Sequence, residues 1–570
     1  MKLWKRDLSL PHLRQLVPGL AELRGYRRSR LCDDVVAGVT VAAVAIPSGL
    51  GMGELAGVGP VAGLYATAVP LIGYALFGSS RQMIVGPTGA IAAVTATSVA
   101  AVVSSDDPAR VAGMAAALAA LSGVILILAS LLRLGFMAEF LSRPVLLGYI
   151  NGVAVLIIAG QLDKLLGITV ESRNFVPQVW ETLLALPQAH GWTVLLSALL
   201  IGVVVLLRVT APKIPAVIVA VVLAGAASAA IGFPRHGIEV VGDVPRGFPL
   251  PRLPGISLDD VLDLVVPALG LALLIFGDSM AIARTYADKH RYTISAGREL
   301  LGLGAANIAA GLFQAIPIDA SGSRTALNDV RGGASPLVGM TVAATAVLVA
   351  AFATPLIEPL PTAALGVVII LATAELIKVR PILRLRRVHN VEMGLAVVTF
   401  VAVLFLNVMG GLAVAVLLSL GVFVYWTARP HDAVLGSSDD IDGFHDITAH
   451  QGLQPVPGLI VYRFDAPLYF ANAPHMARRV RELLDDADGE VRWLMIDAEA
   501  MTYVDAKAID TLKTLHQELA EQSVTLTMAR VKAPIRSILE NTGTTELLGP
   551  EHFFPTVRSG VQAFRERTAR

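Results

Sequence analysis

The chain has 570 residues, 45 basic against 45 acidic side chains, 55% hydrophobic and only 16% charged residues. Ordinary soluble domains carry roughly 25% charge, so a single soluble protein is excluded. No segment beyond the short N-terminus is strongly basic, which argues against a nucleic-acid partner, and the single cysteine, Cys32, rules out an internal disulfide framework or a cysteine-rich zinc site.

The charge is unevenly spread. About 35 of the 90 charged residues fall from His431 onward, a soluble density, whereas the first 430 residues hold about 13%, a membrane composition. Three regions follow: a cytosolic N-terminal segment (1–31), a transmembrane domain (32–430) and a cytosolic C-terminal domain (431–570). Residues 1–30 include Lys2, Lys5, Arg6, Arg14, Arg24, Arg27, Arg28 and Arg30 but no apolar run of signal-peptide length, so a cleaved leader is not expected.

Crossing about 30 Å of hydrocarbon at 1.5 Å per residue takes about 20 apolar residues. Runs near that length fall at 33–51, 61–79, 85–103, 110–133, 140–162, 190–209 and 215–232, then at 261–286, 297–314, 322–333, 335–356, 363–378, 391–408 and 411–427. Loops 52–60, 314–320 and 357–362 lack Lys and Arg and are expected outside. Arg284, Lys289, Arg291 and Arg298, and the cluster from Lys378 to Arg387, mark inside loops. Both termini are then cytosolic.

Seven spans per half make the halves antiparallel, as in inverted-repeat transporters. The third span of each half is interrupted in the same place, by Gly86-Pro87 in Met83–Ala90 and by Ile316-Pro-Ile-Asp-Ala-Ser-Gly-Ser323. Spans 3 and 10 are therefore expected as half-helices, whose N-termini can aim unpaired N–H groups at an anion. The candidate anion site comprises Pro87, Thr88 and Gly89 with Ser321, Gly322, Ser323 and Arg324. Arg324, at a depth where insertion costs about 2.5 to 3.5 kcal/mol, either supplies the countercharge or pairs with a carboxylate or backbone carbonyl and only holds the half-helices together. Asp278 is the other deep charge, read either as Arg324's ion-pair partner or as a cation-coupling group. Glu299, Glu375 and Glu392, near helix ends, are assigned wetted or capping roles.

In the tail, Leu459–Phe464 and Leu468–Phe470 are expected as a hairpin or two short strands, Val491–Ile496 and Val524–Met528 as further strands. Met476, Val480, Leu483 and Leu484 recur at helical spacing after a cap at Asn472, and helices are expected near 506–521, capped by Asp505, and 533–542. Alternating strands and helices make a small α/β domain.

Several segments resemble the SulP family of anion permeases: Ile46-Pro-Ser-Gly-Leu50 with Leu55-Ala-Gly-Val58 and Gly63-Leu-Tyr65; Leu141-Ser-Arg-Pro-Val145 with Gly148, Gln161-Leu162 and Leu166-Gly167; Arg298-Glu-Leu300 with Gly304, Asn307 and Ser323-Arg-Thr325. In the tail, Ile496-Asp497 and Val504-Asp505 are similar to the STAS domain of these permeases. The resemblance implies a mobile core (32–135 and 258–356) and a gate (136–257 and 357–430), a homodimer through the membrane and STAS domains, and residence in the inner (plasma) membrane. It implies a secondary carrier of sulfate, bicarbonate or a dicarboxylate rather than an enzyme, with no resident cofactor. A nucleobase:cation symporter of the same fold, an anion channel or exchanger, and a voltage-responsive motor are the alternatives.

Two positions that face the anion in the family depart from its pattern, Ser48 replacing a Gln and Met52 an aromatic. In the family the position of Asp278 couples transport to a cation. Relatives with Glu there use protons, while cyanobacterial bicarbonate carriers with Asp use sodium and a Thr one turn later. Here that turn holds Ile282, though Ser279 and the carbonyls around Ala320 to Gly322 offer other oxygens, so both H+ and Na+ stay open. Ala506 follows Asp505 where kinase-switched STAS proteins carry Ser or Thr, so that switch is not expected.

Overall fold

The computed structural model describes residues 19, 26, 28–102, 107–135, 143–172, 174–211, 216–242, 247–374, 376–387, 390–438, 441–449, 452–487 and 489–568. Leu141, Ser142 and Glu375, singled out in the sequence, lie outside these. Contacts divide the chain into two compact units, Met1–Ser419 and Leu420–Arg570. The division falls inside the last apolar helix, ahead of the change in composition at His431.

Among the described residues of the apolar region, nine helices are long and apolar enough to cross a membrane, and Gly89–Val102, Ala216–Ile231 and Pro336–Phe352 are shorter but equally apolar. Ala296–Leu312 and Gly322–Val330 supply the remaining two of the fourteen expected stretches. The last two are separated only by Asn407, whose φ of 64° and ψ of 177° break an otherwise continuous helix, Asn390–Ala428. Several helices were not anticipated, among them Phe175–Ala185, Val379–Leu385 and, in the C-terminal unit, Val557–Thr568. Phe175–Ala185 has a polar face and is too short to register as a span.

Helices from the first and second halves interleave. Ala296–Leu312 packs on Pro108–Leu131 and Val69–Phe77, and Pro336–Phe352 packs on Leu31–Leu55. Small residues permit the closest approaches, as expected where lipid offers no hydrophobic drive to association. A Cβ on Gly123 would stand 2.7 Å from the Gly304 carbonyl oxygen, and one on Gly304 would stand 2.8 Å from that of Gly123.

Both third spans are broken, as expected. Val85–Gly86 (β1) and Asp319–Ala320 (β2) are extended and pair antiparallel, Val85 with Ala320 and Gly86 with Asp319. Each strand feeds a short helix. Gly89–Val102 spans about 21 Å and Gly322–Val330 about 14 Å at 1.5 Å per residue, too short to cross alone. Backbone left over by the two-residue ladder is taken up by buried side chains. Asn307 accepts from the Ile318 N–H and donates to the Ile318 carbonyl, both at 3.0 Å, Ser279 Oγ accepts from the Ala320 N–H at 3.0 Å, and Thr325 Oγ1 accepts from the Ile84 N–H at 3.1 Å. The stretch 314–320, assigned to an outside loop by its lack of positive charge, is instead part of the interior. Ala315, Ile316, Ile318, Asp319 and Ala320 are at most 1% exposed, because the strand takes the place of a helical crossing.

Glu299 is also interior rather than wetted. Its carboxylate accepts from Tyr74 Oη at 2.8 Å, from Ser79 Oγ at 2.6 Å and from the Ser79 and Ser80 N–H groups at 2.9 Å, so it caps the chain leading into β1. Glu392 lies in the first turn of its helix, as expected of a capping position.

The C-terminal unit is a six-stranded mixed sheet in the order β4-β3-β5-β6-β7-β8. Leu459–Phe464 (β5), Trp493–Asp497 (β6), Thr525–Ala529 (β7) and Phe553–Phe554 (β8) run parallel, while Asp432–Gly436 (β3) is antiparallel to both β5 and His445–Asp446 (β4). Residues alternate between faces. Tyr462, Leu494, Ile496 and Leu526 pack on the side of helices Ala473–Asp485 and Ala506–Glu521, and Val461, Trp493 and Met495 on the side of Val557–Thr568. Asp505 caps Ala506–Glu521, accepting from the Ala508 N–H at 2.8 Å. Two expectations are corrected. Leu468–Phe470 is no hairpin strand, since only Leu468 bridges, in parallel, to Val504 after Pro467 removes a donor. Asn472 does not cap its helix with its side chain, which is spent on the Tyr469 N–H and the Pro467 carbonyl of the preceding turn.

Asn307 is the side chain on which the β2 strand hangs. Replacing it by Leu strands one buried donor and one buried acceptor, each worth about 1 to 3 kcal/mol. The purified Asn307→Leu protein is expected to unfold at a clearly lower temperature than wild type, read as the loss of monodisperse protein after heating.

Candidate anion site

The antiparallel pairing of β1 and β2 brings the starts of both half-helices together, because each strand is followed within a few residues by a first helical turn. Ser321 occupies the N-cap of the second half-helix and accepts, at 3.5 Å, from the Arg324 N–H. Thr88 precedes the first half-helix, and its carbonyl accepts from the Ala92 N–H at 2.9 Å. The donors of both first turns therefore converge, as an anion requires.

Arg324 is 3% exposed. Its Nη2 donates to the Pro87 carbonyl at 2.6 Å, tying one half-helix to the other. Its Nη1 has no hydrogen-bond partner. Among the described residues no carboxylate oxygen lies within ion-pair distance of it, so an Asp278–Arg324 salt bridge is not formed. The guanidinium thus serves in part as a latch and keeps a free arm. It crosses directly over Gly86, where a Cβ would stand 2.6 Å from Nη1, so a side chain there would push the guanidinium from its place.

The remaining candidates fall around this arm. Gly322 and Ser323 are exposed, with Ser323 Oγ 3.4 Å from Ser321 Oγ. Pro87 and Gly89 are buried, and Thr88 is half-buried with an unpartnered hydroxyl. Met52 is 3% exposed, and its Sδ stands 3.9 Å from where a Cβ on Gly89 would be. Ser48 lies one turn earlier on the same helix, half-buried. A cavity of about 510 Å³ borders the other end of the first half-helix, lined by Glu54, Thr97, Gln161, Lys164 and Asn407, and none of the candidates lines it.

Asp278, half-buried on the long helix Leu258–His290, faces a residue that the sequence reading passed over. Asp319, on β2, is fully buried, and it stands beside Asp278: the adjacent Ala320 N–H donates to Ser279 Oγ at 3.0 Å, and the two carboxyl groups interact electrostatically. Its sequence signal is a charge between two apolar residues, Ile318 and Ala320, in a stretch whose lack of Lys and Arg reads as a loop.

Residues 31–399 match the sulfate permease family and residues 452–560 the STAS domain. A "probable sulfate transporter" of Mycobacterium tuberculosis is 40% identical over 550 residues, covering 96% of this chain and 98% of its own. The chloroplastic sulfate transporter 4.1 of Arabidopsis thaliana is 28% identical, covering 96% and 82%. The fold is that of murine solute carrier 26 family member A9, an anion transporter solved in an inward-facing state, with a TM-score of 0.90 at 23% identity over 99% of this chain and 96% of that one. The transmembrane domain of a cyanobacterial bicarbonate transporter superposes with a TM-score of 0.60 at 25% identity, covering 68% and 98%. These relatives are transporters, not enzymes, and a nucleobase symporter is not favoured. With a family match across most of the apolar region and a relative at 40% identity along nearly its whole length, the chain belongs to the sulfate permease family.

Proposed function

We propose that the protein is a secondary active carrier that moves a small anion across the plasma membrane by alternating access, coupled through Asp278 to H+ or Na+. The observation that carries this reading is Arg324: a buried guanidinium with one arm latched to Pro87 and the other unpartnered, set where two half-helix N-termini meet. Fixed positive charge and unpaired donors in a dry setting suit an oxyanion, whose charge they replace water in solvating. Sulfate is the first substrate to test, since the 40%-identical relative carries that name. Bicarbonate and dicarboxylates follow. The carrier works as a homodimer, with both termini and the STAS domain in the cytosol.

The direct test is counterflow of labelled sulfate in proteoliposomes, where saturable exchange supports a carrier and unsaturable flux a channel. Arg324→Ala is expected to abolish anion binding, by at least about 100-fold if a charge-assisted hydrogen bond of about 3 kcal/mol is lost. Wild-type affinity in a folded Arg324→Ala protein would reduce the residue to its latch.

Asp278→Asn is expected to lose concentrative uptake, so that internal substrate only equilibrates with external substrate under an imposed H+ or Na+ gradient. Accumulation against the gradient in that variant would place coupling elsewhere.

The topology is checked separately. With Cys32 replaced by Ser, a cysteine introduced at Ser438 is expected to react with an impermeant maleimide only after the cell membrane is opened. Labelling in intact cells would reverse the orientation.

A further inference from the structure

Three buried polar groups on three different elements converge without hydrogen-bond partners. Asp319, fully buried, has neither carboxyl oxygen paired, Arg324 has a free Nη1, and Tyr149, also fully buried, has a free hydroxyl. Such orphans are rare in folded interiors, and each asks for a ligand or an exchangeable proton. Asp319 sits between the other charges. On one side it interacts electrostatically with Asp278, whose neighbour Ser279 accepts from the N–H of Ala320, the residue after Asp319. On the other its strand partner is Gly86, over whose backbone the Arg324 guanidinium lies, and Asp319 and Arg324 interact electrostatically. The Thr88 hydroxyl also approaches Asp319. The other ionisable groups acting on the pair among the described residues are Tyr149, which faces both carboxyls, and Lys378, which acts on Asp278 from the exposed end of the neighbouring segment.

We propose that Asp319 is the coupling residue between cation and anion: with Asp278 it holds one exchangeable proton, and the charge state of this pair decides whether Arg324 is free to bind the anion. The inference rests on the carrier reading above and deepens it. Two ionised carboxylates are both acceptors and repel, whereas one proton between them turns the contact into a hydrogen bond. With the pair doubly ionised, Asp319 draws the field of Arg324 and repels an incoming anion. Taking up the proton removes one negative charge beside the guanidinium, and the anion gains that difference. Linkage is reciprocal, so the anion favours the protonated pair to the same degree, and both ions bind and leave together.

The sign is fixed. Anion affinity is highest where the pair is protonated and is lost as pH rises through its transition, by about tenfold per pH unit for one linked proton. The test uses the purified full-length protein, with binding of sulfate, bicarbonate and succinate measured by calorimetry from about pH 5 to pH 8.5, and uptake in proteoliposomes. Asp319→Asn, which mimics a permanently protonated partner, is expected to bind the anion with the acidic wild-type affinity at every pH and to lose proton-driven accumulation. Asp319→Glu is expected to keep the pH slope with a shifted midpoint, and it carries the test if the Asn variant does not elute as a folded dimer. A wild-type slope in Asp319→Asn, or an unmoved midpoint in Asp319→Glu, overturns the inference while leaving the carrier reading intact. Affinity that follows Na+ at constant pH overturns it in favour of a metal cation. If the wild-type protein binds none of the three anions at any pH, the carrier reading itself fails.

Discussion

The membrane unit depends on one constraint: backbone that leaves a helix inside the hydrocarbon must find its hydrogen bonds within the protein. Two spans break, and neither can leave its N–H and C=O groups facing lipid. The antiparallel pairing of β1 with β2 answers part of this, and Asn307, Ser279 and Thr325 answer much of the rest from three surrounding helices. Because each break satisfies the other, the two half-helices are fixed relative to one another as a unit. The close glycine contacts of Gly123 with Gly304 then hold the helix bearing Asn307 against its neighbour. A strand of two residues is sufficient only because its supports are rigid.

What that arrangement leaves unsatisfied is as informative as what it satisfies. The guanidinium of Arg324 spans the gap between the half-helices with one bond to Pro87 and leaves Nη1 without a partner. A charge fully consumed by structure would show all its donors paired. One of the two terminal nitrogens is spent here and the other is not, which reconciles the latch with the binding site rather than choosing between them. Gly86 makes room for it, since a Cβ at that position would stand 2.6 Å from Nη1 and displace the guanidinium.

Much of this was legible in the sequence. The interruptions at Gly86-Pro87 and at Ile316–Ser323 stood out because Gly and Pro broke apolar runs at matching places, and they located the half-helices and Arg324. The alternation of strands and helices in the tail was likewise visible from Leu459 onward, although β3, β4 and β8 were missed because two- to five-residue edge pairings leave little periodicity to detect. Asp319 escaped for a different reason. A charge rule assigns loops by counting Lys and Arg, and a stretch with none of them, bounded by Pro317, read as an external turn when it was a buried strand. Tertiary pairing across more than two hundred residues decides its environment, and no local pattern reports that.

The departures at Ser48 and Met52 acquire meaning from the same geometry. Met52 stands against Gly89, at the start of the first half-helix, with a flexible thioether that fits itself to the space left open by the absent side chain. Ser48, one turn away, is short and half-buried, so it closes off less of the pocket than a longer amide would. Neither residue brings a charge. The charged groups Arg324, Asp319 and Asp278 are carried instead by β2, the half-helix after it and the long helix beside it. On the proposed reading, the charged elements govern how strongly an anion is held and under what protonation, while the uncharged helix bears on how large an anion fits. That reading makes substrate size and ion coupling separable: substitutions at Ser48 and Met52 would act through volume, and those at Asp319 and Asp278 through charge.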